Sequence, residues 1–190
     1  MYVVLEGVDT VGKSTQIELL SKKFPNSITT KEPGGTEFGI ELRKSLLESK
    51  QLDAKSELFL FLADRSAHYD QIIKPNLNKL IISDRSLVSG IAYADSLNIF
   101  DFEWLIELNK FALDNRLPDK MVLLEISKDE LTKRLSEKKN DRIEKRGIEY
   151  MLSVQSMMKN IAQKLNIEIL VVDASKSIED IHKNIYNFLS

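Results

Sequence analysis

The chain has 190 residues, of which 43% are hydrophobic and 29% charged. That is enough apolar material for the core of one domain over residues 1–190, and too much for a disordered chain. Twenty-seven Lys and Arg against 29 Asp and Glu leave a net charge of −2, so bulk attraction to nucleic acid or an anionic membrane is not expected, and the lack of cysteine excludes disulfides and thiolate chemistry.

Tyr2-Val3-Val4-Leu5 opens the chain as an apolar run with no basic segment before it, so it reads as a buried strand and not as a signal peptide. Further strands are predicted at residues 27–30, 80–82, 121–126 and 167–172, the first on its β-branched content alone. Helical patterns fill the intervals at 13–24, 36–50, 53–74, 86–114, 128–137, 143–165 and 177–189. No apolar run approaches the ~18 residues needed to cross a bilayer, and a cytoplasmic location is expected. Buried strands alternating with helices predict an α/β fold: a parallel sheet covered by helices on both faces. In such sheets ligands bind beyond the carboxyl ends of the strands. Attention therefore falls on the residues after Leu5, Thr30, Ile82 and Val172.

After the first strand comes Gly7-Val8-Asp9-Thr10-Val11-Gly12-Lys13-Ser14, followed by Thr15. It satisfies the phosphate-binding pattern G-x-x-x-x-G-K-[ST], between a strand and a helix as that pattern requires. The glycines let backbone N–H groups turn toward phosphate oxygens, and the helix N-terminus adds positive potential. Lys13 is expected to reach the β- and γ-phosphates of ATP, and Ser14 to hold Mg²⁺. A plain strand-to-helix turn needs neither the second glycine nor the Lys-Ser pair. The chain lacks an Asn-Lys-x-Asp segment for reading guanine; Asn109-Lys110-Phe111-Ala112 has no Asp and lies in a helical pattern. A small P-loop domain of this kind suits a nucleotide or metabolite kinase.

Five segments occur in order: Glu6-Gly7-Val8-Asp9, Glu32-Pro33-Gly34-Gly35-Thr36, Phe61-Leu62-Ala63-Asp64-Arg65, Asp84-Arg85 and Asp141-Arg142-Ile143-Glu144. In sequence and spacing they resemble the motifs of thymidylate kinases, which transfer the ATP γ-phosphate to dTMP. The resemblance spans nearly the whole chain. It implies a five-stranded parallel sheet, a helical lid over roughly residues 133–147, Mg²⁺ as cofactor, and a homodimer. It also implies roles for single residues. Asp9 would accept a hydrogen bond from the sugar 3′-hydroxyl. Phe61 would stack on thymine, and Arg65, one helical turn later, would bond a base oxygen. Arg43 resembles the arginine that clamps the dTMP phosphate in bacterial members. Tyr93 matches the aromatic residue that crowds the sugar 2′ position. Asp84, at the end of an apolar strand, suits Mg²⁺, and Arg85 would bridge donor and acceptor phosphates. Asp173-Ala174-Ser175 resembles the adenine-side loop. As lone residues, Phe61 and Tyr93 could equally be core aromatics, and Arg43 a solvated helix arginine.

Residues 133–146 carry seven basic side chains (Lys133, Arg134, Lys138, Lys139, Arg142, Lys145, Arg146) against Glu137, Asp141 and Glu144. Arg142 is the expected carrier of transition-state charge, beside Lys13 and Arg85. Thr10 stands where eukaryotic members have a catalytic arginine, and the lid lacks the Arg-x-Gly segment common in bacteria. Ala94 replaces a base-reading Gln, and Ser86 replaces a Tyr or His. The Asp-Arg-Ser sequence also occurs in similar form in deoxynucleoside kinases, which stay open as an alternative, as does a non-enzymatic nucleotide switch. His68 and His182 sit on helical patterns without partners and read as structural.

Overall fold

The computed structural model describes residues 1–48, 52–136 and 147–190. Its strands are β1 (Tyr2–Glu6), β2 (Ile28–Lys31), β3 (Ile81–Asp84), β4 (Lys120–Glu125) and β5 (Glu168–Asp173). They form one five-stranded parallel sheet in the order β2-β3-β1-β4-β5. The helices are α1 (Lys13–Lys23), α2 (Glu37–Glu48), α3 (Ala54–His68), α4 (Leu87–Asp95), α5 (Phe102–Ala112), α6 (Lys128–Ser136), α7 (Ile148–Lys164) and α8 (Ile178–Leu189).

The alternation of side chains along a strand splits the core in two. Tyr2 and Val4 of β1, Ile81 of β3, and Met121 and Leu123 of β4 face a cluster built with α3, α4, α5 and α7. Val3 and Leu5, Ile82, and Val122 and Leu124 face the opposite cluster, built with α1, α6 and α8. Because both faces are covered, the strands read as unbroken apolar runs rather than alternating ones. β1 lies at the centre, with β3 on one side and β4 on the other. The chain leaves β1 for α1 on one face of the sheet and leaves β3 for α4 on the other, so a crevice opens between the carboxyl ends of β1 and β3.

Two expected helices are divided. The pattern over 86–114 forms α4 and α5, separated by residues 96–101. Asn98 adopts a left-handed φ of 56°, and Asp101 caps α5 by accepting the Trp104 N–H at 2.8 Å. The pattern over 53–74 ends as α-helix at His68 and continues as a π turn at Tyr69–Ile73 and a 3-10 turn at Lys74–Asn76. Pro75 explains the change of winding, since it has no N–H to continue an α-helix. Most of the expected lid, residues 137–146 with Arg142, lies outside the described residues.

Candidate active site

The carboxyl ends of β1, β2 and β3 converge on a cavity of about 490 Å³. Asp9, Thr10, Gly12, Lys13, Ser14, Thr15, Lys31, Glu32, Arg43, Asp84 and Arg85 line it. The loop after β1 supplies one wall. Gly12 has φ 96°, a conformation that L side chains rarely adopt, and it delivers the chain into α1 with no side-chain cap. The first N–H groups of α1 are therefore left for an anion, with the helix dipole behind them. The side chains of Val8 and Val11 are buried in the core and hold the loop from beneath.

Lys13 Nζ donates to the Gly7 and Val8 carbonyls at 2.9 and 3.0 Å, curling over the same loop. Burial lowers its pKa to about 8; Arg85 lowers it further, and Asp84, Asp9 and Glu6 partly offset this. Such a lysine gains from a phosphate that restores a counter-charge.

Asp84 ends β3, and Ser14 Oγ donates to its Oδ2 at 3.5 Å. Asp84 Oδ1 is buried and has no hydrogen-bond partner among the described residues. A hydroxyl beside an under-used carboxylate fits Mg²⁺, which takes few protein oxygens and completes its shell with water and phosphate. No cluster of three acidic, His or Cys side chains among the described residues offers a fuller metal cage.

Arg85 has φ 71°, a strained value for a non-glycine residue, and it is fastened on several sides. Its Nη2 donates to Asp9 Oδ1 at 2.6 Å, and its Nη1 to the Gly7 carbonyl at 3.2 Å and to Ser89 Oγ at 3.1 Å. Burial opposes its charge, but Tyr93, Asp9, Glu6 and Asp84 outweigh that and raise its pKa. The Tyr93 ring lies 5.7 Å from its Cζ, and burial raises the tyrosine to about 12 against the pull of Arg85. Behind Arg85, buried Glu6 accepts from Ser86 Oγ at 2.6 Å and from both the N–H and the hydroxyl of Ser89. Burial pushes the Glu6 carboxyl up in spite of those bonds.

β2 delivers the 32–36 loop. Arg43, on α2, donates to the Pro33 carbonyl at 2.9 Å and reaches the cavity. Phe61 and Arg65 share a face of α3 but do not line the cavity. Phe61 is half-buried. Arg65 is 2% exposed and donates to Glu32 Oε2 at 2.9 Å, to Asn109 Oδ1, and to the Ser86 carbonyl at 3.1 Å.

Three features escaped sequence reasoning. His68 has partners after all: it bonds Glu32 Oε1 at 2.9 Å and Thr30 Oγ1 at 2.6 Å. Lys31 joins the cavity wall. Arg134, from α6, donates to the Thr10 carbonyl at 3.1 Å and to the Ala174 carbonyl at 2.7 Å, tying the β1 loop to the 173–175 loop. Each depends on partners far along the chain. The only local signals were a lysine at a strand end and an arginine in a basic stretch.

The family model described as thymidylate kinase matches residues 5–185. The chain belongs to the thymidylate kinase family. A thymidylate kinase of Aliarcobacter butzleri is 54% identical over 190 residues, covering all of this chain and 99% of that protein. One of a Sulfurovum species is 49% identical over 189 residues, with coverage of 100% and 99%. The crystal structure of thymidylate kinase from Ehrlichia chaffeensis superposes with a TM-score of 0.79 at 29% identity, covering 100% of this chain and 98% of that one. The thymidylate kinase resemblance read from the five motifs, and the parallel sheet it implied, are borne out.

Proposed function

We propose that the chain transfers the γ-phosphoryl group of ATP to the 5′-phosphate of dTMP, giving dTDP and ADP in one in-line step. An oxygen of the dTMP phosphate attacks, and the bond from the γ-phosphorus to its bridging oxygen breaks. The observation that carries the reading is one cavity lined by the P-loop lysine, by Arg85 from the end of β3 and by Arg43 from α2. A kinase acting on a bare hydroxyl would have no use for the Arg43 side, so the deoxynucleoside kinase reading is disfavoured.

The roles follow from charge and reach. The α1 N-terminus and residues 7–15 hold the ATP phosphates, with Lys13 swinging from its carbonyl partners onto them. Ser14 and Asp84 would hold Mg²⁺, which would supply positive charge against the phosphates. Arg43 clamps the acceptor phosphate, and the fork of Arg85 spans both phosphates. Asp9 is aimed by Arg85 and accepts from the 3′-hydroxyl. Tyr93 crowds the 2′ position, Phe61 stacks on thymine, and Arg65 spends its two uncommitted N–H groups on a base oxygen. Arg142 is the lid residue that brings charge to the γ-phosphoryl group. One domain over residues 1–190, a cytoplasmic location and a homodimer complete the reading, with no nucleic acid or membrane partner. Among the described residues no helix is long and apolar enough to cross a membrane.

ATP consumption with Mg²⁺ across dTMP, dUMP, dCMP, dGMP, TMP with a ribose sugar, and thymidine tests the proposal. dTMP is expected to support the fastest turnover, and thymidine none. Turnover with thymidine but not dTMP would make the protein a nucleoside kinase. Binding of ATP with no acceptor consumed would make it a switch.

A further inference from the structure

Arg65 does not line the cavity; it is held in a cradle behind Glu32, which does. Three of its five N–H groups are committed, each to a partner from a different part of the chain. Nε meets Glu32 from the end of β2, Nη1 meets Asn109 of α5, and Nη2 meets the Ser86 carbonyl at the start of α4. Both principal partners are themselves fixed. Asn109 is fully buried and donates its Nδ2 to the Leu105 carbonyl at 2.7 Å. Glu32 is 4% exposed, and its second oxygen is taken by His68, which is fully buried and anchored on Thr30. Burial opposes ionisation of Glu32, but the Arg65 guanidinium and His68 hold its carboxyl below the ordinary range, so the carboxylate stays charged.

The fourth side of the cradle is a missing atom. Gly90 lies inside α4, where glycine is a poor helix former. A Cβ there would stand 2.7 Å from Arg65 Nη2 and 2.9 Å from Nη1. The guanidinium therefore lies flat against the helix only because residue 90 has no side chain. The three nearest atoms to such a Cβ all belong to the Arg65 guanidinium, so a larger residue meets that group first.

We propose that Gly90 and His68 are positioning residues for dTMP: Gly90 supplies the seat of the Arg65 guanidinium, and His68 holds Glu32 against its other edge. The proposal rests on the reading of Arg65 as the residue that bonds the base. Its mechanism is geometric. Two N–H groups of Arg65 remain for a ligand, and their direction is set by the three that are spent. A shift of the seat redirects both.

Steady-state kinetics and thermal midpoints of six variants test this, with dTMP and ATP varied separately. Gly90→Ala is expected to raise the KM for dTMP about tenfold, the scale of one lost hydrogen bond to a charged group, with the KM for ATP unchanged. Its Tm should fall no further than that of Arg65→Ala, since the displaced guanidinium loses buried partners while alanine is the better helix former; the split between the two KM values separates positioning from stability. His68→Leu is expected to raise the KM for dTMP as well. His68→Asn, whose amide nitrogen can replace Nδ1 as donor to Glu32, should restore much of it, and His68→Gln, which mimics Nε2 instead, should not. In an Arg65→Ala background Gly90→Ala should add nothing, since no guanidinium is left to displace. A Gly90→Ala variant with wild-type KM for dTMP, or one whose effect persists without Arg65, overturns the seat. Equal KM values for His68→Asn and His68→Gln overturn the role of His68. If Arg65→Ala itself leaves the KM for dTMP unchanged, the base-bonding reading fails, and the cradle falls with it.

Discussion

Lys13 carries the clearest link between pH and ligand affinity. In the free protein, burial first and Arg85 second bring it to about 8, well below an ordinary lysine. Bound phosphates favour the charged form and so raise its pKa again. Binding therefore takes up a proton above about pH 8, and ATP affinity falls as pH rises through that value, approaching a tenfold loss per unit. Below it the lysine is charged with or without ligand, and the dependence vanishes. Titration calorimetry of ATP binding between pH 6.5 and 9.5 checks the window. Lys13→Arg should flatten the profile, since arginine stays charged throughout. Lys13→Ala should reduce turnover by about 10²-fold or more, because the transferring group loses its nearest fixed cation.

At the scale of elements, the α4–α5 break decides where two parts of the cradle stand. Without the bend at residues 96–101, Ser86 and Asn109 would lie on one long rod and could not both reach Arg65. Asp101 fixes the start of α5 by accepting the Trp104 N–H. Asp101→Ala should cost about 1 kcal/mol, as N-cap losses do, and lower the Tm by a few degrees. An unchanged Tm would show that tertiary packing alone sets that boundary.

The same elements show what sequence can and cannot carry. The strands were legible because both faces of the sheet are covered, so Val3, Val4 and Leu5 or Met121 to Leu124 read as unbroken apolar runs. The P-loop was legible because its chemistry needs residue types at fixed spacing within eight positions. The break at 96–101 was not, since it uses neither glycine nor proline and turns at Asn98. The Glu32–Arg65–His68 cluster was not, since its partners stand 33 and 36 residues apart and meet only after β2 and α3 pack. His68 taken alone carries no mark of it.

For the whole molecule, the parallel sheet sets function by pointing every strand the same way. β1 ends in the P-loop, β2 in the 32–36 loop, and β3 in Asp84 and Arg85, so donor and acceptor groups meet at one edge. Far from that edge, α3 and α5 expose Phe59, Trp104 and Phe111, at 56%, 44% and 82%. Trp104 and Phe111 stand seven residues apart, on one face of α5. Ile99 and Phe100 join Phe59 and Trp104 around an apolar hollow of about 280 Å³. This is the face assigned to the second subunit of the proposed homodimer. Phe111→Glu should convert a dimer of about twice the chain mass into a monomer in light scattering after size-exclusion chromatography. A wild type that is monomeric at micromolar concentration would contradict the assignment.

Phosphoryl transfer from ATP to dTMP is tested most directly by ³¹P NMR of ATP, dTMP and Mg²⁺ with the protein. The expected spectrum shows dTDP and ADP growing in equal amounts as ATP and dTMP decline, with no inorganic phosphate. Inorganic phosphate appearing in place of dTDP, or ATP unchanged in the presence of dTMP, would contradict it.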